Sequence, residues 1–294
     1  VTKLEFDLTE GVSVPIENMI QPWQPPASFR QAPRAPRLRP ADADLEQSAA
    51  LLAKAENPLI IAEAAGRDAD GYHALVALAE LLQIPVIEAV MSDHCNFPKD
   101  HHLHQGIGRP PLVDEADVVL TVRCRSAWYP AANRPAKATV VAIGEVPFRL
   151  TLAYQNSSAD QFLEGDVALT MTLLAEAVGA AGIDKAAVET RRKEYKKAKA
   201  KAAQDEKALL AAVKPDQPIP AAALSVTLSE AMPDDTIYVD ETITHRGLNL
   251  RYLKNRGPLS YYHASGGLGQ GLGVALGVKV AASTRPVVTT IGDG

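Results

Sequence analysis

The stretch Pro286-Val287-Val288-Thr289-Thr290-Ile291-Gly292-Asp293-Gly294 decides the expected fold. Its apolar, β-branched first part predicts a buried strand, and Gly-Asp-Gly follows at the carboxyl end of that strand. Asp293 supplies a hard oxygen ligand of the kind that suits Mg²⁺. Gly292 and Gly294 allow the backbone to approach a ligand closely. Because Asp-Gly is also an ordinary turn, the tripeptide gains its meaning from the sequence upstream.

Short β-rich runs alternate with segments of helical periodicity through most of the chain. The predicted strands cover residues 58–62, 84–87, 117–122, 138–143, 236–239 and 286–291. Strands of this kind separated by helices indicate parallel sheets with helices on both faces. The sequence therefore predicts an α/β fold of two doubly wound parallel-sheet domains joined by a helical linker, the second domain being truncated.

The composition along the chain indicates four parts. Residues 1–40 are rich in proline and arginine, which predicts an extended linker, here from an N-terminal domain outside this chain. Residues 41–180 form the central α/β domain, 181–215 a helical linker, and 216–294 the first part of the second α/β domain. Val1 is not an initiator methionine and the chain stops directly after a strand, so we expect a fragment of a longer chain.

Charge and cysteine content narrow the classes of function. The chain has 30 basic and 35 acidic residues, a net charge of −5, which argues against a nucleic-acid surface. The lysine-rich helix predicted for residues 185–213 is interpreted as a solvated linker helix. Two cysteines, Cys95 and Cys124, are too few for a disulfide framework and suit a reducing compartment, so we expect a cytoplasmic protein. No apolar run is long enough to span a membrane.

The residues after the strand at 236–239 contain groups suited to an anion. Thr242 and Thr244 offer hydroxyls there, at a place where open α/β sheets bind ligands, and a helix amino terminus supplies free amides. An alternative interpretation is that Thr242 caps the following helix.

The segment Ser260–Gly273 includes Ser265-Gly266-Gly267-Leu268-Gly269 directly before a predicted helix. Gly269, Gly271 and Gly273 superficially suggest a dinucleotide-binding fingerprint, but the fit is poor because no Gly, Ala or acidic residue lies where that fold would need it. Close packing of a glycine-rich helix on the sheet does not explain why a strand and Gly-Asp-Gly follow about 20 residues later.

With these residues, the chain from about 237 to 294 resembles the diphosphate-binding domain of thiamine-diphosphate-dependent enzymes, in the branch of acetolactate synthase and benzoylformate decarboxylase. Ser265–Gly269 followed by 287–294 is similar to the motif of that family. Residues 82–106 and 116–147 resemble the central domain of the same enzymes.

The resemblance implies a set of cofactor-binding residues. Asp293 would bind the Mg²⁺ that bridges both phosphates of thiamine diphosphate, and Leu268 would press against the thiazolium and bend the cofactor into its reactive shape. The residues implied to bind the cofactor are Thr242, Ile243, Thr244, Gly267, Leu268, Gly269, Gly292, Asp293 and Gly294. His263 either faces the substrate as an acid or base, which gives it a catalytic role beside Leu268, or is structural.

The resemblance also implies an activity: decarboxylation of 2-keto acids, carboligation of the product, or both, by a lyase or transferase similar to acetolactate synthase. Alternatives are a non-ligating decarboxylase similar to benzoylformate decarboxylase and a non-catalytic nucleotide-binding or assembly protein on the same fold. In that family the Glu that activates the cofactor and a second metal ligand lie in segments outside this chain. We therefore expect the isolated 294-residue chain to be inactive.

Two further expectations follow from the resemblance. A homodimer or homotetramer is expected, because these enzymes hold the cofactor between subunits. FAD is an optional ligand of the central domain in this family. We disfavour it here because flavin-binding members usually have an Arg-Phe-Asp-type stretch where this chain has the bulky Trp128-Tyr129-Pro130.

Overall fold

The computed structural model describes residues 36–147, 158–264 and 267–292. The chain divides into two compact units, Val1–Pro36 and Arg37–Gly294. All of the first unit except Pro36 lies outside the described residues, so every described helix and strand belongs to the second unit.

Six parallel strands form the larger sheet, in the order β3-β2-β1-β4-β5-β6. They are β1 (Pro58–Ala62), β2 (Val86–Glu88), β3 (His104–Ile107), β4 (Val118–Val122), β5 (Thr139–Gly144) and β6 (Gln161–Glu164). The helices of this part of the chain are α1 (Asp42–Lys54), α2 (Ala69–Leu82), α3 (Leu112–Glu115) and α4 (Val167–Ala181). The order reverses between β1 and β4, which is a doubly wound arrangement.

The central strands of this sheet are buried on both faces. β1 and β4 are buried at every position, as expected for continuous apolar runs in a parallel sheet. Successive side chains point to opposite faces, so Ile60 packs in the cluster that contains Leu78 and Met171. Ile61 packs in the cluster that contains Trp128.

Three parallel strands form the smaller sheet, in the order β8-β7-β9. They are β7 (Ile237–Glu241), β8 (Tyr261–His263) and β9 (Val287–Ile291). The helices are α6 (Ala221–Ala231), α7 (Arg246–Tyr252) and α8 (Gly271–Ala281). α8 leaves Leu272, Leu276 and Val280 more than half exposed.

The two parallel sheets confirm the predicted α/β class, and all six predicted strands are present. β3, β6 and β8 were not predicted, and each lies at an edge of its sheet. An edge strand is partly solvated and needs no continuous apolar sequence. His104-Gln105-Gly106-Ile107 of β3 therefore carries no strand signal.

A helix of 27 residues, α5 (Lys185–Ala211), follows the larger sheet in sequence. Asp184 caps it, because its Oδ1 accepts the amides of Ala186 and Ala187 at 2.9 and 3.1 Å. Most of its side chains are exposed. Arg191 is buried and donates to the Leu82 carbonyl through Nε and Nη2, at 3.0 and 2.9 Å. Across the described ranges, no helix combines the length and apolar character needed to cross a membrane.

A fully buried carboxylate, Glu88, lies at the carboxyl end of β2 with a cation beside it. Lys99 Nζ lies 2.7 Å from Glu88 Oε1, His104 Nε2 lies 3.3 Å from the same oxygen, and Asn96 Nδ2 donates to Oε2 at 3.2 Å. Burial by itself raises the pKa of Glu88, but Lys99 and His104 outweigh it and hold this pKa at about 2. Because Glu88 and His104 flank loop 89–103, which connects β2 to β3, these contacts fix both ends of the loop.

The free energy of unfolding is expected to fall by about 3 kcal/mol as the pH drops from about 6.5 to about 4. Burial lowers the pKa of His104 to about 4; Glu88 opposes this decrease and Lys99 adds to it. The unfolded chain therefore takes up the proton first, and stability that is present above pH 6.5 is lost on acidification.

Urea unfolding at several pH values measures the slope of the free energy of unfolding against pH. His104→Gln should flatten it, whereas His73→Gln, at an exposed position of α2, should leave it as in the wild type. An unchanged slope in His104→Gln would contradict the assignment.

Candidate active site

The carboxyl ends of β7, β8 and β9 meet at one edge of the three-stranded sheet. All three strands are parallel, so the segments that follow them emerge on the same side, where α/β sheets bind ligands. The described residues of these segments are 242–245, Ala264, 267–270 and Gly292. Of the motif residues, Ser265, Gly266, Asp293 and Gly294 lie outside the described residues.

Asp240, the fourth residue of β7, organises this edge. Its side chain is fully buried and accepts hydrogen bonds from the hydroxyls of Tyr261 on β8 and Thr290 on β9, both at 2.9 Å. Asn249 Nδ2 on α7 donates to it at 3.2 Å. The amide and hydroxyl of Thr242 donate at 2.9 and 2.7 Å. One carboxylate thus joins three strand ends and a helix, and it fixes the start of the loop after β7.

Glu241 lies at the amino end of α8. Its carboxylate accepts the backbone amides of Gly269, Gln270 and Gly271, the last two at 3.1 and 2.6 Å. Amides that a helix leaves unpaired are thereby satisfied, and a negative charge stands at the positive end of the helix dipole. A side-chain carbon at Gly271 would lie 2.6 Å from Glu241 Oε2, so this close approach requires glycine.

Glu241→Ala is expected to lower the free energy of unfolding by about 2 kcal/mol, because the amides at the amino end of α8 lose their acceptor. Hydrogen exchange of residues 269–271 should become about tenfold faster or more, since about 1.4 kcal/mol corresponds to a factor of ten in opening. Glu230→Ala, which removes an exposed carboxylate of α6, is the matched control. Unchanged exchange at 269–271 would disprove the capping role.

A cleft of about 370 Å³ opens beside this edge of the sheet. Its walls are formed by Met91, Glu241, Thr242, Ile243, Arg246, His263, Ala264, Gly267 and Leu268. Leu268 is 78% exposed and Ile243 is 77% exposed, so water surrounds two large apolar side chains at the cleft. Met91 belongs to loop 89–103, so the part of the chain that forms the larger sheet contributes one wall.

Arg246 and His263 place polar atoms at the cleft. Arg246 Nη2 donates to the Ser92 carbonyl at 3.0 Å and pairs with Asp93 Oδ1 at 3.2 Å. Within the described residues, Arg246 Nε and His263 Nδ1 are buried without a hydrogen-bond partner. Such atoms are rare in folded proteins, and both residues belong to the cleft wall.

The protonation state of His263 suits proton exchange. Burial lowers the pKa of His263, and the Arg246 guanidinium lowers it further. The imidazole is therefore neutral at neutral pH, with one ring nitrogen able to accept a proton. His263 lies on the cleft wall, and its acid–base role and its structural role both stay predictions.

The structure gathers Thr242, Ile243, Gly267, Leu268 and His263 around one cleft. The remaining described residues of the predicted set lie on the same segments: Thr244 and Gly292 are exposed, and Gly269 has a φ of 84°. Their roles toward a cofactor stay predictions.

The alternative role of Thr242 as a helix cap is wrong. α7 begins at Arg246 with His245 in the capping position, and the Thr242 hydroxyl instead donates to Asp240. Over the ranges that the structure describes, no three His, Cys, Asp or Glu side chains gather as a metal site. Asp293 as the metal ligand stays a prediction.

Asp240, Glu241 and Arg246 were not predicted as site residues. Two consecutive carboxylates at the end of an apolar strand were the available signal for the first two, because burying them is costly unless each has donors. Arg246 had no local signal, since its partner Asp93 is 153 residues away.

Ion pairs occupy the carboxyl end of the larger sheet, where the strand order reverses. Arg125 pairs with Glu63 and Asp93, and Arg123 pairs with Asp68 at 2.7 Å. A dinucleotide would bind in this crevice. The expectation that FAD is disfavoured stays a prediction, with which these pairs are compatible.

Comparison with known proteins identifies the family. The family model described as "Thiamine pyrophosphate enzyme, central domain" matches residues 45–174, and "Thiamine pyrophosphate enzyme, C-terminal TPP binding domain" matches residues 244–294. Benzoylformate decarboxylase of Pseudomonas aeruginosa is 28% identical over 269 residues, 87% of this chain and 46% of that protein. A protein of Methanocaldococcus jannaschii named "Probable acetolactate synthase large subunit" is 28% identical over 267 residues, 85% of this chain and 43% of its own.

The chain thus spans about half the length of the curated relatives it matches. The crystal structure of benzoylformate decarboxylase from Polynucleobacter necessarius matches with a TM-score of 0.65 at 22% identity, over 92% of this chain and 50% of that one, which shows a shared fold. The two family models together cover more than half of the chain and include most of the cleft. The chain therefore belongs to the family of thiamine-pyrophosphate-dependent enzymes.

Proposed function

We propose that the cleft beside β7, β8 and β9 binds thiamine diphosphate with Mg²⁺, and that the whole protein decarboxylates 2-keto acids and joins the product to a second carbonyl compound. Leu268 is the observation that carries this proposal. It is apolar, 78% exposed and part of the cleft wall, and Glu241 holds the turn that carries it. Together with Ile243, which is also exposed on the cleft wall, it forms an apolar surface of the kind that lines ligand-binding grooves.

The residues of the cleft fit such a ligand. The loop 242–244 would hold the diphosphate, Asp293 would hold Mg²⁺, and Leu268 would support the thiazolium ring. When bound, the cofactor accepts the electron pair left by departing CO₂. The guanidinium of Arg246, a residue of the cleft wall, would suit the carboxylate of a 2-keto acid. Neutral His263 is placed to move a proton to or from the substrate.

Calorimetry tests the binding step. Thiamine diphosphate titrated into the protein should give heat that depends on Mg²⁺ and disappears with chelator or in Asp293→Ala. Leu268→Ala should keep most of the affinity while turnover of the whole protein falls by more than about tenfold, because the ring loses the support that shapes it for reaction. Absence of Mg²⁺-dependent heat in the wild type would overturn the proposal.

Product analysis separates the two activities. Whole protein supplied with a 2-keto acid should release CO₂ and accumulate a hydroxyketone if it ligates, as expected for an acetolactate synthase-like enzyme. Accumulation of aldehyde alone would assign it to the benzoylformate decarboxylase-like alternative. The relatives that match include one protein of each name.

We further propose a cytoplasmic homodimer or homotetramer. The exposed apolar side chains Leu272, Leu276 and Val280 of α8 support association, since contiguous apolar surface favours burial. Both cysteines are free thiols, in keeping with a reducing compartment. Light scattering of the purified protein gives the oligomeric state.

A further inference from the structure

A second cleft, separate from the first, lies between α5, loop 89–103 and the end of α7. Its volume is about 370 Å³. Its walls are formed by Lys99, Asp100, His102, His104, Lys196, Lys199, Ala200, Ala203, Glu206, Arg251, Lys254 and Arg256. Six of these residues are lysine or arginine, and two are acidic. We call it the basic cleft.

Half of the cations in the basic cleft have carboxylate partners. Lys99 pairs with Glu88 outside the wall at 2.7 Å, Lys254 with Glu206 at 3.3 Å, and Arg256 with Asp100 at 3.1 Å. The other three are Lys196, Lys199 and Arg251. In the part of the chain that the structure describes, none of these three forms a salt bridge. Lys199 Nζ instead donates to the Lys99 carbonyl, and the Arg251 guanidinium lies 5.4 Å from the centre of the Tyr252 ring. The cleft thus carries more positive than negative charge inside a concave surface, which concentrates a positive field.

Two ionisable side chains of the basic cleft, Lys199 and His102, have lowered pKa values. Burial lowers the pKa of Lys199, and the ammonium groups of Lys99 and Lys254 lower it further against the opposing effect of Glu206 and Asp100. Burial also lowers the pKa of His102, with contributions from His101, Lys196 and Arg192. Both groups therefore give up protons more easily, chiefly because they are buried.

The shape of the basic cleft limits what fits. Ala200 and Ala203 present short side chains on the α5 wall, and among the described residues no Phe, Tyr or Trp lines the cleft. A nucleobase would find only the imidazoles of His102 and His104 to stack on. Charge and geometry therefore favour a compact anion over a nucleotide or a nucleic acid.

We propose that the basic cleft binds a small anion with two or more negative charges, of the phosphate monoester or diphosphate class. Lys196, Lys199 and Arg251 supply the binding charge. The anion bridges α5, which carries Lys196 and Lys199, to Arg251 at the end of α7, so its binding stabilises the contact between these two helices.

Calorimetry with inorganic pyrophosphate at low salt and without Mg²⁺ tests the site, and the wild type should bind with an affinity that falls as salt rises. Lys196→Glu with Arg251→Glu should weaken binding by tenfold or more. Lys197→Glu, at an exposed position on α5 outside the cleft wall, should change affinity less than twofold. Equal affinity of the double variant and the wild type, or no binding by the wild type, would overturn the proposal.

Two further measurements separate this site from the proposed cofactor cleft. Lys196→Glu with Arg251→Glu should bind thiamine diphosphate with Mg²⁺ as the wild type does, and Asp293→Ala should bind pyrophosphate as the wild type does. NMR of the His102 ring should show a pyrophosphate-dependent shift that is absent in the double variant. If pyrophosphate affinity instead follows Asp293→Ala, the anion occupies the cofactor cleft and the basic cleft is not its site. Circular dichroism confirms that each variant is folded.

Discussion

Asp240→Ala is expected to lower the free energy of unfolding by about 3 kcal/mol or more. The substitution leaves the buried Tyr261 hydroxyl without its acceptor, and a buried unpaired group costs about 1–3 kcal/mol. It removes one of the three acceptors of the Asn249 amide as well as the acceptor of the Thr290 hydroxyl. It also releases Thr242, so the loop after β7 loses its fixed start. Thiamine diphosphate should therefore bind more weakly to the variant.

Urea unfolding and calorimetry on the same samples check both effects. Asp240→Asn keeps one carbonyl oxygen and the volume of the side chain, and it should recover part of the stability. Asp205→Ala, at an exposed position on α5, should stay within about 0.5 kcal/mol of the wild type. An Asp240→Ala variant as stable as this control would refute the role of Asp240 at the strand ends.

Lys99→Met should cost about 3–5 kcal/mol, because it leaves the fully buried carboxylate of Glu88 without its cation. Lys99 is the main group that opposes burial and keeps the pKa of Glu88 at about 2. Without it, we expect Glu88 to take up a proton on folding at neutral pH. Stability of the variant should then decrease as pH rises through the range where the unfolded Glu88 ionises.

A double-mutant cycle isolates this pair. Glu88→Gln with Lys99→Met removes both charges and should be more stable than Lys99→Met alone, with a coupling of about 2 kcal/mol or more. Lys197→Met, at an exposed position of α5, controls for the loss of a lysine. Additive effects of the two single changes would show that the pair is not a unit.

The strands that could be predicted from the sequence are those whose burial on both faces requires apolar residues. Central strands such as β1 and β4 are apolar at nearly every position because helices cover both faces, so residue type alone indicates them. The strands β3, β6 and β8 escaped prediction because an edge position relaxes that requirement. Helix α5 was predictable from its polar, alanine-rich composition, with an end two residues earlier than predicted.

Some residues of the candidate site could likewise be predicted from the sequence, and others could not. The place of Gly267-Leu268-Gly269 could be predicted because a family motif marks it, and that of the loop 242–244 because an apolar strand precedes it. Their roles toward a cofactor stay predictions. Asp240 could not be assigned as the organiser of the strand ends, since its donors Tyr261, Asn249 and Thr290 come from three separate elements. Met91 and Asp93 lie about 150 residues from Arg246 in sequence, and only folding brings them to the cleft.

The loop 89–103 also limits how this chain can be recombined with its relatives. The Asp93 carbonyl accepts the His263 amide at 3.0 Å, His94 bridges to Tyr262, and Met91 reaches the cleft wall. A chimaera that exchanges only the segment 41–180 would replace Met91, which forms part of the cleft wall, together with the larger sheet. Transplanting specificity between family members therefore requires that this loop travel with the residues it touches in β8 and α7.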